Sequence, residues 1–247
     1  MEKEEANEVL EVFKITPEPG TVVSIIHDTY SAGWQIFFGI IAELLEKGYF
    51  PVISNYNLPL PNLFKRASAV GLNMRRELEN DKMAIIDVFG SKYGLTYDFK
   101  NTYYLQGVDP DTLNPKISMI YDMLRPKMKG KELIRAVYTL GGAAMMLGEE
   151  EVLKLLSITV AQRIIQFPNS ILLMLMNRDV LSKRFIAWVS EMSDYVIVTR
   201  SELTSEGIME RLYVVKSPSE GFMPSAYRLH IAEEKTKERI RVERLSP

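Results

Sequence analysis

The stretch Thr21-Val-Val-Ser-Ile-Ile26, then His27-Asp-Thr-Tyr-Ser-Ala-Gly33, then an apolar segment from Trp34 to Lys47, decides how this chain is read. A short β-branched run that feeds a loop and then a helix is the frame of a phosphate-binding loop. That frame needs a glycine-rich loop whose backbone N–H groups face the phosphates, a lysine to neutralise them, and a Ser or Thr for Mg²⁺. Here the frame is present and the chemistry is not. Gly33 stands at the lysine position and Trp34 at the Ser/Thr position, while His27, Asp28 and Tyr30 crowd the loop.

Outward from this stretch, apolar runs alternate with helical patterns. Thr21–Ile26 is a continuous apolar strand of the buried, parallel-sheet type. The helix from Trp34 to Lys47 is apolar almost all round, which predicts burial on most sides. Further strands are expected at Tyr49–Tyr56, Met83–Phe89, Ile134–Tyr138, Ser170–Met176 and Asp194–Thr199. Helices are expected over Asn62–Val70, from Asn114 to about Met123 with a break at Arg125-Pro126, from Gly148 to about Ile165, and over Val180–Glu191. Gly141-Gly142 reads as a break. Arg211–Lys216 and Tyr227–Ile231 read as an antiparallel pair, and the tail from Lys235 to Leu245 as an edge strand or a frayed end. Alternating strands and helices closed by hairpin-like strands predict a three-layer α/β sandwich around an open, largely parallel central sheet. The expected organisation is a single domain over 1–247, with an N-terminal arm at 1–18 and a C-terminal tail at 233–247.

Composition narrows the function classes. With 30 Lys and Arg against 32 Asp and Glu, the net charge is −2, so bulk electrostatics offer no attraction to nucleic acid or an acidic membrane surface. The absence of cysteine excludes disulfides, thiol catalysis and thiolate metal sites. The acidic start Met1-Glu-Lys-Glu-Glu5 lacks the apolar core of a signal peptide, and the most apolar stretches are too short to span a bilayer. A cytoplasmic location is expected, with no nucleic-acid and no membrane partner.

Four stretches together resemble the RecA superfamily, and within it the KaiC-like archaeal and bacterial ATPases. Glu18-Pro-Gly-Thr-Val-Val-Ser-Ile-Ile26 enters the loop as that family's first core strand does. Ile134-Arg-Ala-Val-Tyr-Thr-Leu140 with Leu147-Gly-Glu-Glu-Glu151 is similar to the Walker B strand and its following helix. Asp194-Tyr-Val-Ile-Val-Thr-Arg200 and Arg211-Leu-Tyr-Val-Val-Lys-Ser217 are similar to two later strands, with Lys216 at a lysine position of the family. The similarity runs from about Pro19 to Ile231, and it extends to an uncharacterised archaeal group with decayed nucleotide motifs.

The resemblance implies an ATPase fold, and residue by residue it implies that the ATPase is lost. Beside the changes at Gly33 and Trp34, Thr139 replaces the acid that ends the Walker B strand. Ser54-Asn-Tyr-Asn-Leu-Pro59 stands where the family places its catalytic acids, and no Asp or Glu occurs between Glu46 and Glu77. Without a lysine and Mg²⁺ ligands, nothing stabilises the charge that develops in phosphoryl transfer. The expectation is a non-catalytic protein with no cofactor and no metal.

The carboxyl edge of such a sheet still forms a crevice. His27, Asp28, Tyr30, Trp34, Asn55, Tyr56, Asn57 and Thr139 are the candidate residues at its mouth. Aromatic, amide and hydroxyl types suit a peptide or protein partner and poorly suit a polyphosphate; alternatively these side chains fill the vacated space. Two other readings stand beside this one: a regulator that binds a nucleotide or another small ligand at the altered loop, and an enzyme of different chemistry built on His27-Asp28. A homodimer is expected, docked in part through the apolar stripe Val9, Leu10 and Phe13 of the arm.

Overall fold

A computed structural model describes residues 20–205, 207–231 and 240–245; the expected N-terminal arm, with its apolar stripe, lies outside them. In chain order the strands are β1 (Val22–His27), β2 (Phe50–Asn55), β3 (Ala84–Asp87), β4 (Thr102–Tyr103), β5 (Leu133–Tyr138), β6 (Ile171–Asn177), β7 (Tyr195–Thr204), β8 (Gly207–Lys216), β9 (Ser225–Ile231) and β10 (Ile240–Arg244). The helices are α1 (Gly33–Glu46), α2 (Leu60–Ser68), α3 (Met74–Glu79), α4 (Val88–Tyr93), α5 (Pro110–Met128), α6 (Leu140–Leu147), α7 (Glu149–Gln166) and α8 (Lys183–Glu191).

All the strands join one sheet in the order β10-β9-β8-β7-β1-β6-β5-β2-β3-β4. From β7 to β4 neighbours run parallel, and β8, β9 and β10 close it antiparallel. This is the expected α/β sandwich. Successive residues of β1 point to opposite faces, as a strand requires: Val23 and Ile25 enter the core that holds α1 to α3, while Val22 and Ile26 enter the core under α5 to α8. Ile36, Phe37, Phe38, Ile40, Ile41 and Leu44 of α1 are buried almost completely, and each contributes about 1.5–3 kcal/mol of apolar burial. The all-round apolar pattern is thereby explained, because α1 packs on β1, β2, β6, β7, β10 and α2.

Several local expectations fail for identifiable reasons. Val88 and Phe89 do not continue β3, because the Asp87 side chain accepts the Gly90 N–H at 3.1 Å and starts α4. Helix α5 runs through both Pro115 and Pro126. Asp109 caps it, and one buried face of Leu113, Ile117, Ile120, Tyr121 and Leu124 outweighs the proline penalties. Gly141 and Gly142 lie inside α6 rather than breaking the chain. At Gly142 a Cβ would meet the Tyr56 carbonyl oxygen at 2.5 Å, so the glycine permits close approach of two backbones. Helix α8 begins at Lys183, where Ser182 caps it, and not at Val180. Strands β7 and β8 run on beyond Thr199 and Arg211 as a long hairpin, and β10 settles as an edge strand.

This topology places the site. The chain leaves β1 towards the α1 face, whereas it leaves β5 and β6 towards the other face. Connections that diverge in this way open a crevice at the carboxyl ends of the strands.

Candidate functional site

Five residues join β1 to α1, and the backbone N–H groups of three of them end on the protein's own carboxyl groups. Thr29 donates to Asp179 Oδ2 at 2.8 Å, Tyr30 to Asp28 Oδ1 at 3.2 Å and Ser31 to Asp28 Oδ1 at 2.8 Å. The Glu210 carboxyl group lies near the Ala32 N–H, and its buried Oε2 has no hydrogen-bond partner among the described residues. Asp28 is braced from outside the loop, because Ser201 donates to it through both its N–H and its hydroxyl, each at 2.8 Å. The Thr29 hydroxyl adds a second bond to Asp179 at 2.9 Å. A run of amides in this frame is an anion receptor. Here the anions come from the chain itself: Asp28 from the loop and Asp179 from the segment after β6.

The electrostatics follow from these contacts. The Thr29 N–H and hydroxyl hold the Asp179 carboxyl below the usual carboxylate range. Burial pushes the Glu210 carboxyl up to about 7; the Ala32 N–H opposes that rise and the Asp28 charge adds to it. At the helix start, Gly33 has no room for a side chain. A Cβ there would lie 2.4 Å from His27 Cβ and 2.7 Å from Thr199 Oγ1. The first side chain of α1 to reach the crevice is Trp34.

Beside the filled loop lies an open cavity of about 560 Å³. His27, Trp34, Asn57, Arg66 and Thr139 form much of its wall, with Asn177 from the end of β6. Arg66 Nη1 donates to the Tyr138 hydroxyl at 2.8 Å, and its guanidinium sits 5.8 Å from the centre of the Trp34 ring. Tyr138 is buried and stacked on Phe38 at 5.1 Å, which fixes the hydroxyl that Arg66 uses. Burial lowers the His27 pKa, so the ring is neutral near pH 7 and donates through Nδ1 to the Asp28 carbonyl at 2.7 Å. Thr139 caps α6 by accepting the Gly142 N–H at 3.0 Å. Glu149 is committed to the cap of α8, accepting the Ser182 N–H at 2.7 Å and the Ser182 hydroxyl. Met145 and Val180 stand exposed at the rim, at 89% and 65%. A second space of about 60 Å³ lies under α5 to α7 beside Arg135 and Tyr121, too small for a nucleotide or a peptide.

Of the residues proposed from sequence, His27, Trp34, Asn57 and Thr139 meet at the cavity. Tyr30 points to solvent, 74% exposed, and Asp28 is turned into its own loop. Asn55 is fully buried and bonds Asp87 Oδ1 at 2.8 Å and the Leu58 carbonyl at 2.6 Å. Tyr56 faces the smaller space on the other side of the sheet. Sequence reasoning missed Arg66, Tyr138, Asp179 and Glu210. Asp179, two residues past the most apolar strand, carried a usable signal in its position at the carboxyl edge. Arg66 and Glu210 carried none, because only the fold brings α2 and β8 to this loop. The basic residues at the end of α5 are held locally: Arg125 pairs with Asp122, and Lys127 with Asp81. Among the described residues no group of His, Asp or Glu is placed to hold a metal ion, and no helix is long and apolar enough to cross a membrane.

No family model and no curated protein matches this chain. Solved structures do. An uncharacterised protein of Pyrococcus horikoshii, crystallised in complex with an unknown peptide, superposes with a TM-score of 0.80 at 22% identity, over 98% of this chain and 100% of that one. A KaiC-like protein of Pyrococcus horikoshii superposes with a TM-score of 0.65 at 16% identity, over 91% and 90%. The fold is RecA/KaiC-like. In this fold the loop after β1 joins the first parallel strand to α1, and the cavity is the crevice beside it.

Proposed function

We propose that this chain is a non-catalytic RecA/KaiC-like protein that has lost ATP hydrolysis and binds polypeptide in the cavity between α1, α2 and α6. The observation that carries the reading is the occupancy of the Thr29–Ser31 amides by Asp179 and Asp28. A nucleotide would have to displace two acids from these donors, with no lysine to offset the charge. The cavity beside them offers what a peptide uses: the indole of Trp34, the amides of Asn57 and Asn177, and an apolar rim at Met145 and Val180. The structural neighbour crystallised with an unknown peptide supports the same reading.

The test uses the two tryptophans, Trp34 and Trp188. In a Trp188→Phe protein the emission reports Trp34 alone. Random hexapeptide pools are expected to change that emission saturably, and Mg-ATP at millimolar concentration to leave it and the calorimetric baseline unchanged. Micromolar Mg-ATP binding by titration calorimetry would overturn the reading.

A further inference from the structure

We propose that Arg66 makes this cavity a carboxylate receptor, so that a bound polypeptide is held through a carboxylate clasped by the Arg66 guanidinium; the inference rests on the polypeptide reading above. Among the described residues Arg66 has no carboxylate partner. Its contacts are the Tyr138 hydroxyl and the face of Trp34. Both orient the guanidinium and neither neutralises it. A planar fork held on an aromatic face, with one edge on a fixed hydroxyl, leaves its remaining N–H groups for a second planar acceptor. A carboxylate matches that edge in a bidentate fashion.

Competing charges around the cavity do not remove this demand. The carboxylates of Asp28 and Asp179 are spent on the loop amides and on Ser201. Glu149 is committed to Ser182. His27 is neutral, with Nδ1 bonded to the Asp28 carbonyl. Arg66 is thus the cation of the wall that no local acid satisfies, beside a space large enough for several residues of an extended chain. The charge also reaches across the cavity. Arg66 depresses the His27 pKa, while Asp28 and Asp179 raise it against the larger effect of burial.

The carboxylate has two sources, the chain terminus or an Asp or Glu side chain, and three immobilised hexapeptide libraries separate them. One carries a free α-carboxylate and no acidic residue; one is amidated and contains Asp and Glu; one is amidated and acid-free. Wild-type protein is expected to retain the first or the second at least about tenfold better than the third, the size of effect a charged hydrogen-bonded pair gives when solvent reaches it. Arg66→Gln is expected to erase that preference and Arg66→Lys to keep part of it, with melting curves confirming that both variants fold. Equal retention of all three libraries, or a preference unchanged in Arg66→Gln, overturns the carboxylate inference and leaves polypeptide binding standing. Retention of none overturns polypeptide binding itself, and the carboxylate inference with it.

Discussion

The loop from Asp28 to Ala32 and the cavity next to it share a strand end and opposite fates. In the loop the amides from Thr29 to Ser31 are each met by an acid of the same chain. In the cavity a guanidinium is aligned by Tyr138 and Trp34 and, among the described residues, met by no acid. The contrast teaches that one strand end can carry both a closed and an open set of polar groups. The loop donors are closed by internal carboxylates, and the space beside them is left open under a cation.

The largest expected effect comes from trying to reopen the loop by sequence analogy. Gly33→Lys places a Cβ inside van der Waals contact of His27 and Thr199. Urea unfolding is expected to show a loss of about 3 kcal/mol, with no ATP binding gained. A stable Gly33→Lys protein that binds Mg-ATP would erase the distinction between closed loop and open cavity.

Next in size is Asp28→Ala, which removes the acceptor of the Tyr30, Ser31 and Ser201 N–H groups and of the Ser201 hydroxyl. A destabilisation of about 2 kcal/mol is expected. The vacated amides are then expected to take inorganic phosphate, seen as a Tm that rises with phosphate in the variant and not in the wild type. If phosphate raises both alike, the loop of the native protein is not self-occupied.

The smallest effect is a pH dependence at Glu210. Its carboxyl is raised to about 7 in the fold, mainly by burial, so the folded chain holds this proton after the unfolded chain has released it. The penalty builds as pH rises from the ordinary carboxyl range through about 7 and is complete above it. Glu210→Gln is therefore expected to raise Tm at pH 8 and leave it nearly unchanged at pH 4.5. Equal shifts at both pH values would show that the acid does not titrate against Ala32 and Asp28.

How far the sequence carried depended on the range of the interaction. Strands β1, β2, β5 and β6 and helix α1 were legible because burial on both faces writes continuous apolar runs. The short helix α3 was missed because its N-cap, Asn73 on the Arg76 N–H, carries it more than any long apolar periodicity. Helix α5 was cut short because local proline rules were weighed without the tertiary face that overrides them. At the site, the absence of a lysine at positions 33 and 34 was visible in the sequence. The distant residues that flank the loop and cavity were not, since Glu210 lies far along the chain on β8 and Arg66 looks like any cation on a helix surface.

The filled loop has a consequence for control. A carboxylate tethered to its acceptor acts at an effective concentration fixed by the chain, on the order of millimolar or above, and it does not vary with metabolism. On the proposed reading, a loop that carries its own anions is indifferent to nucleotide, and occupancy of the neighbouring cavity follows the abundance of its polypeptide partner.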